Sequence, residues 1–196
     1  MADSDIIGDV SGVLEQLLTD AMSTLTAPPP PIARVHDLRG TIPTAPPLLT
    51  LFLYEICEDP ALRNRPEGRE LDATGDYLVR KPPMALVLRY LVSAWAGDPR
   101  TEQRMLGRVL QVLYDEPTLN GAMLTGSLAG SDDALQVTLA ALTLEEKARV
   151  WYSIQQTYRL SLNYEVRVAN LDAEAVRRAR PVTRRDLVPA MPGGAR

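Results

Sequence analysis

Apolar residues recur at helical spacing in some stretches of the chain and at strand spacing in others. From Asp5 to Met22 they fall three or four positions apart, which predicts an amphipathic helix with one buried stripe. Leu48 to Cys57 carries apolar side chains at both sets of alternating positions, which predicts a central strand covered on both faces. Met84 to Trp95 predicts a second long strand, in which Arg89 is the exception on an otherwise apolar face.

Start and stop signals for helices are clear in the second half of the chain. Asp98 followed by Pro99 is a strong helix start, and Pro117 ends the helix that it opens. Thr143 with Glu146 three residues later forms a capping box, which predicts a short helix there. Two helices are therefore expected between residues 98 and 160.

Strands are predicted on either side of the second of these helices, around 135–139 and over 159–169. The later strand has the cleanest alternation in the chain, with one apolar face for the core. Its other face is polar and is expected to meet either solvent or a partner protein. The residues of this face are Arg159, Ser161, Asn163, Glu165 and Arg167. The order of elements predicts an α/β (α+β) fold, a mixed sheet with helices packed on it.

Three connecting or terminal segments differ in composition from the rest. Residues 27–47 contain seven prolines, which favours an extended arm with at most a short edge strand near 33–38. The polar segment 58–83 is long for a loop, so we expect it to be mobile and functional or interfacial. We predict one domain over 1–170 that includes the arm, followed by a basic tail over 171–196.

Composition and charge restrict the classes of protein that remain. The chain is 45% hydrophobic and 23% charged, with a net charge of −4, so a folded domain without overall attraction to nucleic acid or anionic membranes is expected. The N-terminal segment is acidic, so a signal peptide is not expected, and no apolar run approaches ~20 residues, so a membrane span is not expected either. Cys57 is the one cysteine, so no internal disulfide can form and a cytoplasmic protein is expected.

Candidate chemistry is sparse. The one histidine, His36, lies in the proline-rich arm, which disfavours a histidine metal site or a catalytic triad. Glu55, Glu58 and Asp59 are close enough for acid–base catalysis, but at the end of a strand they are expected to be solvated or to face arginines. The arginines of the tail could bind phosphates, although the absence of interleaved aromatic residues favours a solvated or protein-binding tail. We therefore predict no enzyme, no cofactor and no metal.

Three segments carry a family resemblance: LTLFLYEICEDPALRN, PPMALVLRYLVSAWAGDPRTEQRMLGRVLQVLYDEPTL and VWYSIQQTYRLSLNYEVRV. Specific features within them are Leu51–Tyr54 with the following Asn64, the strand Tyr90–Trp95 running into Asp98, and Leu106–Arg108. Over residues 6–169 the chain resembles the cap, or tail-terminator, family of phage-tail-like extracellular contractile injection systems. The proline-rich arm and the arginine tail are departures that this resemblance does not cover.

The resemblance implies a homohexameric ring that ends the inner tube distal to the baseplate and contacts the last sheath ring. The particle is expected to assemble in the cytoplasm and to be released by cell lysis. A terminator needs a surface that mimics the next subunit and another that allows no further addition. We expect the charged elbow Glu55–Arg65 to pair with neighbouring copies or with the tube, and the tail to reach a sheath subunit or a neighbour by adding a strand.

These expectations select a set of interface candidates. They are Glu55, Glu58, Asp59, Arg63, Asn64, Arg65, Arg89, Arg159, Asn163, Glu165, Arg167, Arg177, Arg178, Arg184 and Arg185. Two other classes of function stay open at this point. One is a non-enzymatic adaptor that uses the same sheet to bind a protein outside any tube, and the other is a small hydrolase that uses Glu55 or Asp59.

Overall fold

The computed structural model describes residues 4–25, 29–131, 133–171 and 176–180. Its described residues fall into two compact units, one formed by residues 4–64 and 83–171 and the other by residues 65–82 and 176–180. The first unit contains the three α-helices of the described residues, α1 (Ile6–Met22), α2 (Pro99–Asp115) and α3 (Leu144–Ser153). No helix among the described residues is long and apolar enough to cross a membrane.

The first unit is built on a six-stranded mixed sheet. Its strands are β1 (Ile32–Val35), β2 (Leu48–Glu58), β5 (Met84–Trp95), β6 (Thr118–Asn120), β7 (Ala134–Leu139) and β8 (Ser161–Leu171). The spatial order is β1-β2-β5-β8-β7-β6, in which β1 and β2 are parallel and the other neighbours are antiparallel. The predicted mixed α+β architecture is therefore confirmed.

The two faces of this sheet carry separate hydrophobic clusters. Alternate residues of β5, such as Leu88 and Tyr90, join the buried stripes of α1 and α2 in the larger cluster. The intervening residues Leu91 and Trp95 join Trp151 of α3 and apolar side chains of the arm in the smaller one. Because successive side chains of a strand point to opposite faces, the two clusters lie on opposite sides of the sheet.

Local sequence chemistry accounts for the helix boundaries. Asp98 accepts a hydrogen bond from the backbone N–H of Thr101, with Pro99 at the first helical position, as the sequence predicted for α2. Thr143 and Glu146 form the predicted reciprocal capping box at the start of α3. These caps satisfy backbone donors that the first helical turn leaves without intrahelical partners.

Two sequence-based expectations need correction, those for the segment 58–83 and for β2. The segment 58–83, expected to be a mobile loop, contains the strands β3 (Gly68–Leu71) and β4 (Tyr77–Arg80), which pair as a hairpin. The glycine-rich stretch after Pro117, for which no element was predicted, contains β6 and two short 3₁₀ turns, Gly121–Met123 and Gly126–Leu128. The strand β2 lies next to the edge strand, and only its first four residues are fully buried.

The segment predicted as a basic tail contains one described strand. Within it the structure shows the strand β9 (Val176–Ala179), paired with β4 in a three-stranded sheet of order β3-β4-β9. This small sheet forms the second unit, whose members come from both sides of the predicted boundary at residue 170. Arg184 and Arg185 lie outside the described residues.

Candidate protein-interaction surface

Three strands bring a positive side chain between two negative ones. Glu55 of β2, Arg89 of β5 and Glu165 of β8 are direct cross-strand neighbours. Arg89 donates from Nη1 to Glu55 Oε2 at 2.7 Å and from Nε to Glu165 Oε1 at 3.0 Å. We call this row the Glu55–Arg89–Glu165 ladder. Its hydrogen bonds fix the arginine at the centre of the sheet with both acidic partners satisfied.

A β-bulge places Glu55 in the ladder. Strict alternation would put Glu55 on the same face as Leu51 and Leu53, which is the face covered by α1 and α2. The pairing of β2 with β5 shifts by one residue between Leu53 and Glu55. An inserted residue moves the following side chains to the opposite face, so the carboxylate meets Arg89. Sequence alternation alone had no means to show this shift.

The elbow that follows β2 is also paired within the chain. Glu58 Oε2 accepts from Arg63 Nε at 2.8 Å. Asp59 is 5% exposed, and its carboxylate accepts from the backbone N–H of Ala61 at 3.0 Å and lies 3.6 Å from Arg167. The three carboxylates therefore face arginines, which is one of the two arrangements expected without catalysis.

Two pKa shifts on this surface indicate an arginine that stays charged and a cysteine that is a weak nucleophile. The hydrogen bond to Glu55 raises the pKa of the Arg89 guanidinium, so the arginine stays charged. Burial raises the pKa of the Cys57 thiol, which keeps the sulfur protonated and weakly nucleophilic near neutral pH. Within the described part of the chain, no group of three histidine, cysteine or acidic side chains is arranged to hold a metal ion.

The polar face predicted for the last strand has a buried part and an uncovered part. Ser161 and Asn163 are each 1% exposed, so the expectation that they meet solvent or a partner is wrong for these two residues. Trp151 of α3 covers this part of the sheet, and its Nε1 donates to Ser161 Oγ at 3.1 Å. Asn163 donates a long hydrogen bond of 3.4 Å to the hydroxyl of Tyr54.

Arg159 lies at the covered end of the same face. Its guanidinium carbon is 4.3 Å from the centre of the Trp95 ring, and its Nη2 pairs with Glu102. This cation–π contact and ion pair attach the segment just before β8 to the first turn of α2. Glu165 and Arg167 are thus the members of the predicted polar face that remain on the uncovered part.

The remaining candidates lie elsewhere. Asn64 and Arg65 are exposed at the end of the elbow. Arg177 and Arg178 lie on β9, where Arg177 is 3.4 Å from Glu67. Arg177 and Arg178 belong to the second unit.

Sequence reasoning missed an apolar groove between α2 and β7. It has a volume of about 550 Å³ and includes the exposed side chains of Leu110, Tyr114 and Leu139. Leu110 and Tyr114 lie one helical turn apart on α2, and neither is among the buried residues of that helix. Such spacing is a weak signal, because it does not distinguish a helix face inside the core from one beside it.

Comparison with known proteins agrees with the geometry. A structure described as the sheath/tube terminator of an extracellular contractile injection system, PVC, in its extended state matches with a TM-score of 0.58 and 22% identity, over 100% of this chain and 67% of that chain. The tube-terminating cap of the anti-feeding prophage, AFP, matches with a TM-score of 0.57 and 20% identity, over 96% of this chain and 62% of that one.

These likenesses show that the fold of the described units is that of tube-terminator structures. No curated protein matches the chain. The family model for the Pvc16 N-terminal domain matches residues 9–185, which is most of the chain. The resemblance to contractile-injection-system caps is therefore confirmed, and the chain belongs to the Pvc16 N-terminal domain family.

Proposed function

We propose that this protein is a structural cap that ends the inner tube and sheath of a contractile injection system at the end distal to the baseplate. The observation that carries the proposal is the family match over residues 9–185, together with the fold shared with two terminator structures. In this role the chain forms a homohexameric ring whose partners are further copies of itself, the inner tube protein and the sheath protein. It assembles in the cytoplasm into a particle that cell lysis releases.

The large sheet has properties that such a role requires. A terminator must be rigid, and the long strands β2, β5 and β8 pair over long registers between the two hydrophobic clusters. It must also stop further addition. The outer edge of β1 is occupied by side chains of α1, since Thr19 Oγ1 accepts from the N–H of Ala33 at 3.0 Å and Glu15 Oε2 accepts from the N–H of Val35 at 2.9 Å. A further strand would have to displace these bonds.

The elbow and the ladder are the surfaces that we assign to contacts with a neighbour or with the tube. The side chain of Arg63 is 63% exposed although it is paired with Glu58, so a carboxylate of a partner can reach it. The Glu55–Arg89–Glu165 ladder contains two carboxylates and one guanidinium, so it is suited to a basic or hydrogen-bonding partner. Because the carboxylates face arginines and Cys57 stays protonated, the geometry supports binding without catalysis.

Imaging of particles tests the proposal. Deletion of this chain in the organism that encodes it should give tubes and sheaths of abnormal length or with unstable ends, and reintroduction should restore them. An Arg63→Glu variant should weaken attachment of the cap. The matched control is Arg149→Glu, because Arg149 is also exposed and also pairs with a glutamate, but lies on α3.

The outcome that refutes the proposal is equally concrete. Particles of normal length with normal ends in the deletion strain, or absence of the tagged chain from particle ends, would favour the adaptor function. Turnover of a substrate by the purified chain that Glu55→Gln or Asp59→Asn abolishes would instead show a hydrolase.

A further inference from the structure

The second unit is a small sheet with little apolar surface of its own. All four residues of β3 are exposed, and Val79 of β4 is the one buried residue among its described strands. Apolar side chains remain uncovered on both outer strands, with Leu71 of β3 65% exposed and Val176 of β9 44% exposed. A three-stranded sheet usually needs a hydrophobic face or a packed partner for stability. Its outer strands are therefore candidates for contact with another chain.

Both outer strands have free edges within the described part of the chain. The bond from Asp72 N to Asp76 O fixes the alternation of the hairpin, so the N–H and C=O groups of Arg69 and Leu71 point away from β4. Continuing the alternation across β4, the outward groups of β9 are those of Val176 and Arg178. This differs from the edge of β1, which side chains of α1 close. The sheet thus presents two rows of hydrogen-bonding groups.

The two edges have opposite charge. Residues 67–72 around β3 contain three acidic residues and one arginine, whereas residues 176–180 around β9 contain three arginines and no acid. Within one chain the two strands are separated by β4, at about 9.6 Å for two strand spacings. Arg177 nevertheless reaches Glu67 across that distance, with 3.4 Å between nitrogen and oxygen. Direct pairing of the two edges would halve the separation and strengthen the attraction.

We propose that β9 of one copy pairs with the free edge of β3 of the next copy. Within the chain, β3 and β9 are both antiparallel to β4 and hence parallel to each other. Copies related by rotation about a ring axis would therefore join these edges as parallel strands and extend the sheet from one protomer to the next. Arg178 would lie beside Glu70 of the neighbour, and Leu71 and Val176 would be covered.

The pairing is head-to-tail, because one copy uses β9 and the other uses β3. Such a contact builds a closed ring or an open filament, whereas a two-fold contact would stop at a dimer. The inference rests on the proposed cap function in so far as that function requires a closed ring. It adds the residues that hold the ring together.

Disulfide trapping gives a direct test, because β4 keeps the two edges of one chain apart. Cysteines can be bridged when their Cα atoms are about 4.4–6.8 Å apart, which neighbouring strands satisfy and strands separated by a third do not. In a Cys57→Ser background, Glu70→Cys combined with Arg178→Cys should form disulfides between copies under mild oxidation. Non-reducing gels should then show covalent multimers up to the size of a closed ring.

Controls separate this result from chance contacts. Glu70→Cys alone and Arg178→Cys alone should give no multimers above dimers. Glu70→Cys with Val176→Cys tests a register shifted by two residues. The trapping is done on the purified full-length chain and on particles isolated from cells. Absence of multimers for both cysteine pairs in both samples would overturn the proposal.

A backbone test complements the trapping. Arg69→Pro removes an outward N–H while leaving the bonds between β3 and β4, and it should reduce ring assembly in sedimentation velocity far more than Arg69→Ala does. Equal assembly by the two variants would count against strand pairing. Failure of the two proposals is distinguishable. Caps at particle ends without trapped multimers would refute the β9–β3 contact alone, whereas trapped multimers from a chain absent from particle ends would refute the cap function alone.

Discussion

Replacement of Trp151 by alanine should detach α3 from the sheet, because this side chain is the one fully buried residue of the helix. Trp151 is 1% exposed, its ring lies edge-on to Trp95 at 6.5 Å, and its Nε1 donates to the buried Ser161. Truncation of a buried aromatic residue costs about 3–5 kcal/mol. The upper part of this range is expected here because Ser161 also loses its donor. The better helix propensity of alanine returns only about 0.5 kcal/mol.

Urea unfolding followed by far-UV circular dichroism measures this loss without relying on tryptophan fluorescence. For a slope of about 2 kcal/mol/M, a loss of about 4 kcal/mol lowers the midpoint by about 2 M. Tyr152→Ala is the matched control. The side chain of Tyr152 follows Trp151 on α3 and is 84% exposed, so its replacement should change the free energy of unfolding by less than about 0.5 kcal/mol. Trp151→Phe separates packing from hydrogen bonding, with an expected loss of about 1–3 kcal/mol. A midpoint for Trp151→Ala equal to that of Tyr152→Ala would refute the assignment of Trp151 as the anchor of α3.

Three further predictions concern other parts of the first unit. Arg89→Met leaves the two glutamates of the ladder facing each other and should lower the free energy of unfolding by about 1 kcal/mol after allowance for solvent screening. Urea titrations should show a smaller loss at high salt, and a loss that does not depend on salt would contradict this. Burial raises the pKa of Tyr90 to about 12, so its contribution to stability is complete below pH 10 and declines between pH 10 and 12, because the unfolded chain ionises first. Tyr90→Phe should flatten that decline in stability, and an unchanged alkaline profile would exclude Tyr90 as its cause. Thr19→Val should lower the free energy of unfolding by about 1–3 kcal/mol, because it leaves an edge N–H of β1 without an acceptor. Thr19→Ser keeps the hydroxyl and should cost less in the same assay, and equal losses would show that the hydrogen bond is not responsible.

Local signals predicted most elements of the first unit. The caps at Asp98 and Thr143 gave the starts of α2 and α3, and alternation gave the long strands β5 and β8. These features succeed because capping and alternation depend on residues only a few positions apart. The family resemblance was likewise carried by short segments, and the match over residues 9–185 confirms it.

The surface candidates were predictable only as a list. Sequence reasoning selected Glu55, Arg89 and Glu165 but could not place them in one row, because their contact depends on the order of three strands distant in the chain. It also assigned Asn163 to an accessible face, whereas this side chain is buried and hydrogen-bonded to Tyr54. Whether the candidate residues contact other subunits stays a prediction.

The sequence by itself determined most helix and strand segments of the first unit and the family, since periodicity, capping and short sequence motifs are local properties. Tertiary structure decided which residues became neighbours. The bulge after Leu53 turned Glu55 toward Arg89, and a strand from the basic tail joined a hairpin that the sequence had suggested was a loop. Strand pairing between distant segments depends on register and on the side chains of both partners, so no single segment contains that information.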